Sequence, residues 1–197
     1  MQPLVSVIIP SRERRDHIIA LLECYSVFQG SKEIEFIFHD NVSDNSDLFA
    51  DVDRDVFRYF YVKKELTMSE NFTRAIECSS GSFILMTGDD DFILPEIINV
   101  AKYLQNKNLA AATSSLISYL WPTVSSKLAG ANKSGLCLFP RKNREIALKK
   151  TSHGLKSILF QGGAFFNYEI PSPYQSLIKK SVIENITKNY KTCFPGF

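Results

Sequence analysis

Short apolar runs alternate with amphipathic segments along the first part of the chain. Runs that are rich in β-branched and aromatic residues are typical of strands covered on both faces of a parallel sheet. Four such runs occur, and they predict buried strands at residues 4–9, 34–39, 57–62 and 82–87. Pro10 follows the first run directly and is expected to end the first strand.

Helical patterns separate these predicted strands. Between residues 18 and 28, apolar side chains recur at helical spacing, and Gly30 stands where a C-terminal cap is expected. Thr67 and Glu70 match a capping box, which predicts a helix that runs to about residue 79.

The rest of the chain is less regular. Pro95 suits the first position of another helix, and residues 110–121 fit a further strand. Residues 125–150 are richer in Lys, Asn, Gly and Ser, and we interpret them as a loop followed by a helix. The tail from residue 162 onward predicts a strand pair and a short helix.

This alternation of strands and helices predicts an α/β fold with a mostly parallel sheet flanked by helices. A chain of 197 residues accommodates one ordinary domain and is too short for two. In such sheets, ligands bind at the carboxyl ends of the strands. Those ends are predicted at residues 10–15, 40–46 and 88–91.

Composition narrows the class of protein. With 45% hydrophobic and 22% charged residues the chain is globular, and a net charge of +2 gives no reason to expect a nucleic-acid partner. The four cysteines lie far apart, as expected for thiols in a reducing cytosol. No run approaches the roughly 20 apolar residues that span a bilayer. We predict a cytoplasmic protein, with at most peripheral association with the inner face of the membrane.

Three adjacent carboxylates, Asp89, Asp90 and Asp91, follow Gly88 at the end of the fourth predicted strand. Adjacent carboxylates repel one another, and a hard divalent cation such as Mg²⁺ or Mn²⁺ would compensate that repulsion. The alternative is a solvated acidic turn. The strand-end position and the apolar residues on both sides favour the cation site.

The other two strand ends are also polar. Asp40 can accept hydrogen bonds from a ligand, and the alternative is an Asx turn with a helix cap. The two can also occur together, with Asp40 binding and Ser43 or Asp44 capping. His39 is interpreted as a packed neighbour. The arginines of the first loop either pair with phosphate oxygens or are solvated; they are Arg12, Arg14 and Arg15.

The known phosphate-binding loops are absent from the sequence. No P-loop pattern and no Gly-x-Gly-x-x-Gly turn follows any predicted strand, which argues against P-loop hydrolysis and dinucleotide binding. No nucleophile elbow and no His-Glu-x-x-His motif occurs either.

Three segments, VSVIIPSRER, FIFHDNVSDNS and NFTRAIECSSGSFILMTGDDDFILP, resemble glycosyltransferase family 2 in their order and separation. The resemblance covers about residues 4–120, and the ordered set is more specific than any one motif. It implies a GT-A (Rossmann-like) fold and metal-assisted transfer of a sugar, with inversion, as in polysaccharide biosynthesis. The donor would be a nucleoside-diphosphate sugar, and the acceptor a hydroxyl of a saccharide or another molecule.

The resemblance also implies roles for individual residues. The divalent cation, Mn²⁺ or Mg²⁺, would be held by Asp90 and Asp91, although two registers of the Asp-any-Asp motif are open, Asp89 with Asp91 or Gly88 through Asp90. The family commonly has two acidic residues where this chain has Asp40 followed by Asn41, which leaves one carboxylate for the nucleobase. The predicted donor-binding residues are Pro10, Ser11, Arg12, Glu13, Asp40, Asn71 and Asp89.

In the family, the catalytic base is usually an acidic residue on the acceptor side, well after the metal motif. We interpret residues 1–120 as the donor-binding region and residues 121–197 as an acceptor-side region, in one structural domain that is incomplete at its C-terminus. Beyond Glu145 the only acidic residues are Glu169, a weak candidate for the base, and Glu184. We therefore expect donor binding with poor transfer. Two alternatives stay open, a non-catalytic sugar-nucleotide-binding domain and a nucleotidyltransferase.

Overall fold

The computed structural model of the protein describes residues 2–113, 118–120, 136–138, 147–160, 171–172 and 174–191. The chain forms two compact units. One consists of Met1–Thr113 with Pro171–Phe197, and the other of Ser114–Ile170.

The described residues contain eight strands and five α-helices. The strands are β1 (Val5–Arg12), β2 (Ile34–Asn41), β3 (Phe57–Val62), β4 (Phe83–Met86), β5 (Ala111–Thr113), β6 (Ser118–Leu120), β7 (Leu136–Leu138) and β8 (Ser176–Lys179). The helices are α1 (Arg15–Tyr25), α2 (Met68–Glu77), α3 (Ile97–Asn106), α4 (Thr151–Phe160) and α5 (Lys180–Tyr190). Two short 3₁₀ helices lie at Ser26–Phe28 and Ser46–Phe49.

The first unit is built on a six-stranded sheet in the order β3-β2-β1-β4-β8-β5. Strands β1 to β4 pair in parallel, and β8 is antiparallel to both of its neighbours, β4 and β5. The prediction of a mostly parallel sheet flanked by helices is therefore confirmed. In the second unit, β6 and β7 form an antiparallel pair, and α4 is the described helix.

The four predicted strands are present, but β1 does not end at Pro10 as the sequence suggested. It continues to Arg12 in register with β2. The oxygen of Ile8 accepts from the Thr87 N–H on the β4 side of the strand. Alternate residues direct their backbone groups to the same side, so Pro10 also faces that side, beyond the last β1–β4 pair. No ladder hydrogen bond is lost there, and the proline is tolerated.

Four of the predicted helices are present as well, with small shifts at their ends. The helix predicted within residues 125–150 falls largely outside the described residues, and residues 147–150 are not helical. The capping box of α2 forms as expected, with Thr67 accepting from the Glu70 N–H and Glu70 from that of Thr67. Helix α3 begins at Ile97 and not at Pro95, which lies in a preceding turn. Of the predicted strand at 110–121, the described parts are β5 and β6. Of the predicted tail, the described elements are β8 and α5, and residues 162–170 lie outside the described residues.

The core of the first unit has two layers because β1 is buried on both faces. Val5, Val7 and Ile9 pack in one cluster with α1 and α3, whereas Ile8 packs in the other with α2 and α5. The first layer contains an aromatic stack in which the ring of Phe36 lies 4.3 Å from that of Tyr25. Full burial of each such side chain contributes about 1.5–3 kcal/mol, so these layers hold the strands in place.

A buried carboxylate ties together the amino ends of the strands. Glu35, only 2% exposed, accepts from the hydroxyl of Ser6 at 2.6 Å, from Arg58 at 2.7 Å and from the Ser80 N–H at 2.6 Å. A Cβ on Gly81 would lie 2.7 Å from the backbone nitrogen of Ser6, so this position excludes a side chain. Burial raises the pKa of Glu35, but the hydrogen bonds outweigh burial and hold the pKa below its ordinary value.

Replacing Glu35 with Gln is expected to lower the free energy of unfolding at pH 7 by about 1–3 kcal/mol, because buried donors lose a charged acceptor. A carboxylate with a lowered folded-state pKa stabilises the fold above its ordinary pKa of 4.5, and that contribution is lost as the pH falls through the lowered value. Urea unfolding should therefore show a difference between wild type and Glu35→Gln at pH 7 that narrows in acid.

The matched control is Glu33→Gln, two residues earlier. Glu33 pairs with Lys102 at 2.7 Å on the surface, where both side chains are nearly half exposed. Exposed pairs contribute little, so the control should change the free energy of unfolding by less than about 1 kcal/mol. Equal losses in the two variants would contradict the role assigned to the buried carboxylate.

Candidate functional site

The predicted strand ends meet at one edge of the sheet. Strand β1 lies between β2 and β4, so the chain passes to opposite sides of β1, and ligands of α/β sheets bind at the carboxyl ends beside such a change of direction. The Cα of Ser11 is in register with that of Asp40 on β2. On the other side, the Ser11 hydroxyl donates to Oδ2 of Asp89 at 2.8 Å. Ser11 thus connects the two acidic strand ends.

A compact group of potential metal ligands lies at these strand ends. Asp89 is buried, and its Oδ1 lies 3.0 Å from Nη1 of Arg14 and 3.9 Å from Nδ1 of His17. Asp90 is exposed and lies 3.3 Å from the same arginine nitrogen. One ligand atom from each of His17, Asp89 and Asp90 lies within 4.8 Å of the others.

The chemistry of this group fits a divalent cation. Ligands on opposite sides of an octahedral Mg²⁺ are separated by about 4.2 Å, so atoms within 4.8 Å of one another need only small movements. Carboxylate oxygens suit Mg²⁺ and Mn²⁺ alike, and an imidazole nitrogen favours the transition metal of the two. The residues at the end of β4, together with His17, are therefore able to hold Mn²⁺.

Asp91, although adjacent to this group, makes different contacts. Its Oδ2 accepts from the hydroxyl of Tyr174 at 2.7 Å and from the side-chain amide of Gln175 at 3.1 Å. Burial, together with Asp91, raises the pKa of Tyr174. A Cβ on Gly88 would lie 2.9 Å from the same hydroxyl, so a side chain at this position would displace Tyr174. Asp91 thus anchors the segment before β8, and its role as a metal ligand stays a prediction.

The backbone after Asp91 is held by the core. The hydroxyl of Tyr25 on α1 donates to the backbone oxygen of Asp91 at 3.4 Å and accepts from the Ile93 N–H at 3.2 Å. Burial raises the pKa of Tyr25, which keeps the hydroxyl protonated and able to donate. The acidic loop is therefore positioned by a side chain that belongs to the aromatic stack.

Asp40 is fully buried at the end of β2. Its Oδ2 accepts from the Asn45 amide at 2.6 Å and from the Tyr59 hydroxyl at 3.2 Å, and its Oδ1 receives a long contact of 3.5 Å from Ser43. Burial raises the pKa of Asp40, against the lowering effect of these hydrogen bonds. The predicted Asx turn is also present, since Asp44 accepts from the Ser46 N–H at 2.9 Å.

Asn71 contacts the backbone of Ser11 near the end of β1. It is 6% exposed on α2, and its amide donates to the backbone oxygen of Ser11 at 3.4 Å. Because its nitrogen is used there, its oxygen accepts from Nδ1–H of His39. Burial lowers the pKa of His39, so the ring is neutral near pH 7. Both side chains are buried, and Asn71 reaches the site through Ser11.

Two residues in these loops adopt left-handed backbone conformations. Glu13 has a φ of 54° after β1, and Val42 has a φ of 76° after β2. A β-branched residue rarely adopts this region, and such strain costs on the order of 1–3 kcal/mol. Val42 is held there by a backbone bond to Val62 and by the Tyr61 hydroxyl, which donates to its oxygen at 3.1 Å. Backbone strain of this kind is concentrated at functional sites.

Two of the predicted arginines pair with carboxylates other than Asp40 and the three aspartates after β4. Arg12 pairs with Glu65 at 2.7 Å, and Arg15 pairs with Asp47. Glu184 is an exposed residue of α5, and Glu169 lies outside the described residues. His17, Tyr59, Tyr174 and Gln175 could not be predicted from the sequence, because their roles depend on contacts between distant parts of the chain.

The strand order is that of a GT-A type of α/β domain, and the solved structure of a TarS fragment shares this fold. The S. aureus TarS 1–349 structure has a TM-score of 0.56 and 14% identity, over 93% of this chain and 49% of that one. The same fragment in complex with UDP has a TM-score of 0.56 and 12% identity, over 93% of this chain and 48% of that one. Mannosyltransferase PcManGT from Pyrobaculum calidifontis, in complex with GDP-Man and Mn²⁺, is less similar, with a TM-score of 0.48 and 17% identity, over 58% of this chain and 36% of that one.

The model of the family described as Glycosyl transferase family 2 matches residues 6–186, and the chain belongs to this family. The predicted family and fold are thereby confirmed. The chain spans about half of the TarS fragment and about a third of the mannosyltransferase. No curated protein matched the sequence. In the described part of the chain, no helix combines the length and apolar character needed to cross a membrane.

The burial of Asp40 affects how the free energy of unfolding depends on pH. Because the folded-state pKa is raised, ionisation of Asp40 costs stability as the pH rises above its ordinary pKa of 3.8, and the cost is complete above the raised value. Asn at this position keeps an acceptor for Asn45 and Tyr59 without the charge. Asp40→Asn should therefore be at least as stable as wild type at pH 7, by urea unfolding, with an advantage that disappears near pH 4.

Asp44→Asn is the control, and this variant is expected to lower the free energy of unfolding at pH 7. Asp44 is exposed, and the backbone hydrogen bond from Ser46 lowers its pKa, so its charge stabilises the fold at neutral pH. A large loss of stability at pH 7 in Asp40→Asn, with no loss in Asp44→Asn, would show that the Asp40 charge stabilises the fold.

Proposed function

We propose that this chain binds the donor in a glycosyltransferase that moves a sugar from a nucleoside-diphosphate sugar to an acceptor hydroxyl. The observation that carries the proposal is the group of His17, Asp89 and Asp90 at the change of strand direction, where α/β sheets bind ligands. Membership of glycosyltransferase family 2 supports the same reaction. The TarS fragment that shares the fold was solved with UDP, a ligand of the proposed class.

We assign the diphosphate to the end of β4. Asp90 offers an exposed carboxylate, while Asp89 is oriented by the hydroxyl of Ser11. A bound divalent cation, Mn²⁺ or Mg²⁺, would neutralise the charge that grows on the departing nucleoside diphosphate. The end of β1 and the residue after it supply the remaining donor contacts, which we assign to Pro10, Ser11, Arg12 and Glu13, together with Asn71 on α2.

We assign the nucleobase or ribose to Asp40. The contact from Asn45 to Oδ2 is short at 2.6 Å, the Tyr59 contact to the same oxygen is 3.2 Å, and the contact from Ser43 to Oδ1 is the longest at 3.5 Å. A hydrogen bond of that length is weak, so a ligand N–H or O–H can replace the serine at Oδ1. Asn45 and Tyr59 would meanwhile keep the carboxylate in place.

Family membership supports the transfer step that we propose. The acceptor hydroxyl attacks the anomeric carbon from the side opposite the diphosphate, the bond from that carbon to the diphosphate oxygen breaks, and the configuration is inverted. A carboxylate takes the proton of that hydroxyl, and Glu169 stays the candidate for this base. We assign residues 1–120 to the donor and residues 121–197 to the acceptor side, in a cytoplasmic protein with at most peripheral membrane contact.

The metal site predicts that UDP binding depends on Mn²⁺. Asp90→Asn should weaken UDP binding about 10- to 100-fold in the presence of Mn²⁺, the effect of losing one charged ligand. Asp91→Asn should weaken it less, because Asp91 is used by Tyr174 and Gln175. Calorimetry with Mn²⁺ and with EDTA measures both effects.

Asp51→Asn provides a matched control, since Asp51 is an exposed aspartate outside the site. Equal binding in Mn²⁺ and EDTA for all variants would remove the metal from the proposal. A larger loss in Asp91→Asn than in Asp90→Asn would make Asp91 the metal ligand.

The products of a donor and acceptor panel test the reaction itself. A nucleoside diphosphate and a glycosylated acceptor are expected, even if turnover is slow. Release of pyrophosphate would identify a nucleotidyltransferase, and tight donor binding with no product for any acceptor would indicate a binding domain.

A further inference from the structure

One nitrogen of Arg14 lies among all three candidate metal ligands. Nη1 is 3.0 Å from Oδ1 of Asp89, 3.3 Å from Oδ2 of Asp90 and 3.5 Å from Nδ1 of His17. These are the same three residues whose ligand atoms lie within 4.8 Å of one another. A positive charge of the protein thus occupies the position that a cation bound by these residues would take.

We propose that Arg14 and the divalent cation compete for these ligand atoms, and that the displaced Arg14 binds the diphosphate of the donor. The inference rests on the metal-assisted function proposed above. Two positive groups at such short range repel each other strongly, so both cannot use the same oxygens. Arg14 then exchanges the carboxylates of Asp89 and Asp90 for the phosphate oxygens of the donor.

The geometry of Arg14 allows this exchange. Its side chain is 47% exposed, and all three contacts use the single nitrogen Nη1. Arginine binds more strongly and more specifically when two nitrogens contact one anion. Its backbone stays in place meanwhile, because its oxygen accepts from the N–H groups of His17 and Ile18 at the start of α1. The guanidinium can therefore turn to a phosphate without unfolding the helix.

The two neighbouring arginines pair with other carboxylates. Arg15 contacts both oxygens of Asp47, at 2.8 and 2.5 Å, and Arg12 lies 2.7 Å from Glu65. Among the arginines of this loop, Arg14 is the one paired with candidate metal ligands. The competition is therefore a property of this residue and not of the loop's positive charge.

The exchange couples the two ligands of the site. A cation that binds alone must break the ion pairs of Arg14 and leave its guanidinium without an anion. When the diphosphate is present, Arg14 regains anionic partners, so the same cation binds more tightly. Linkage requires that the cation strengthens diphosphate binding by the same factor.

The variant Arg14→Gln tests the effect of Arg14 on cation binding and its effect on diphosphate binding separately. Without nucleotide, the variant should bind Mn²⁺ about 3- to 30-fold more tightly than wild type, because no internal cation competes. At saturating Mn²⁺, it should bind UDP about 3- to 30-fold more weakly, because a phosphate partner is lost. Mn²⁺ binding is measured from the electron paramagnetic resonance signal of the free ion, and UDP binding by calorimetry.

Arg15→Gln is the matched control, because it removes one positive charge of similar exposure from the next position. It measures the general effect of charge on Mn²⁺ affinity, which should be smaller than the effect of Arg14→Gln. Arg14→Lys keeps the charge without the guanidinium fork, so its Mn²⁺ affinity should stay near that of wild type while UDP binding is weakened. Circular dichroism checks that each variant is folded.

The outcomes distinguish this inference from the proposed function. If wild type binds Mn²⁺ and Arg14→Gln binds it no more tightly than Arg15→Gln does, the competition is wrong and metal assistance stands. If no variant binds Mn²⁺ with or without UDP, both proposals fail. If UDP binds equally well in EDTA and loses its affinity in Arg14→Gln, Arg14 replaces the metal permanently, and the inferred exchange is wrong.

Discussion

Parallel pairing of β1 with β2 on one side and with β4 on the other is the constraint on which the site depends. It brings Ser11, Asp40 and Asp89 to one edge although they are separated by up to 78 positions in the chain. The two buried layers of the core hold this pairing, and the Tyr25 hydroxyl extends one layer to the acidic loop. A change that displaced β4 relative to β1 would separate the serine from the carboxylate it orients.

The two ends of the sheet treat their acidic residues differently. At the amino ends, Glu35 receives donors from a serine, an arginine and the backbone, so its charge is balanced within the fold. At the carboxyl ends, Asp90 is exposed and shares one arginine nitrogen with Asp89. The first arrangement stabilises the fold, and the second leaves negative charge for a ligand. Burial alone does not separate the two, because Asp40 and Asp89 are buried as well.

Strand and helix positions could be predicted from the sequence because they depend on local patterns. The runs at 34–39 and 82–87 predicted β2 and β4 within two residues, and Thr67 with Glu70 marked the start of α2. The insertion of β8 between β4 and β5 had no local signal, since it depends on pairing across the sheet. The contacts of Tyr174 with Asp91 follow from that insertion, so they were equally out of reach.

The three adjacent aspartates show why a motif does not by itself assign roles. Side chains of consecutive residues point in different directions, so Asp89 meets Ser11, Asp90 faces solvent and Asp91 meets Tyr174. The sequence left two registers open for metal binding, and the contacts group Asp89 with Asp90. In this arrangement the first aspartate connects the loop to β1 through Ser11, and the third connects the same loop to the segment before β8. A single acidic run can thus join a ligand site to both neighbouring strands of β4.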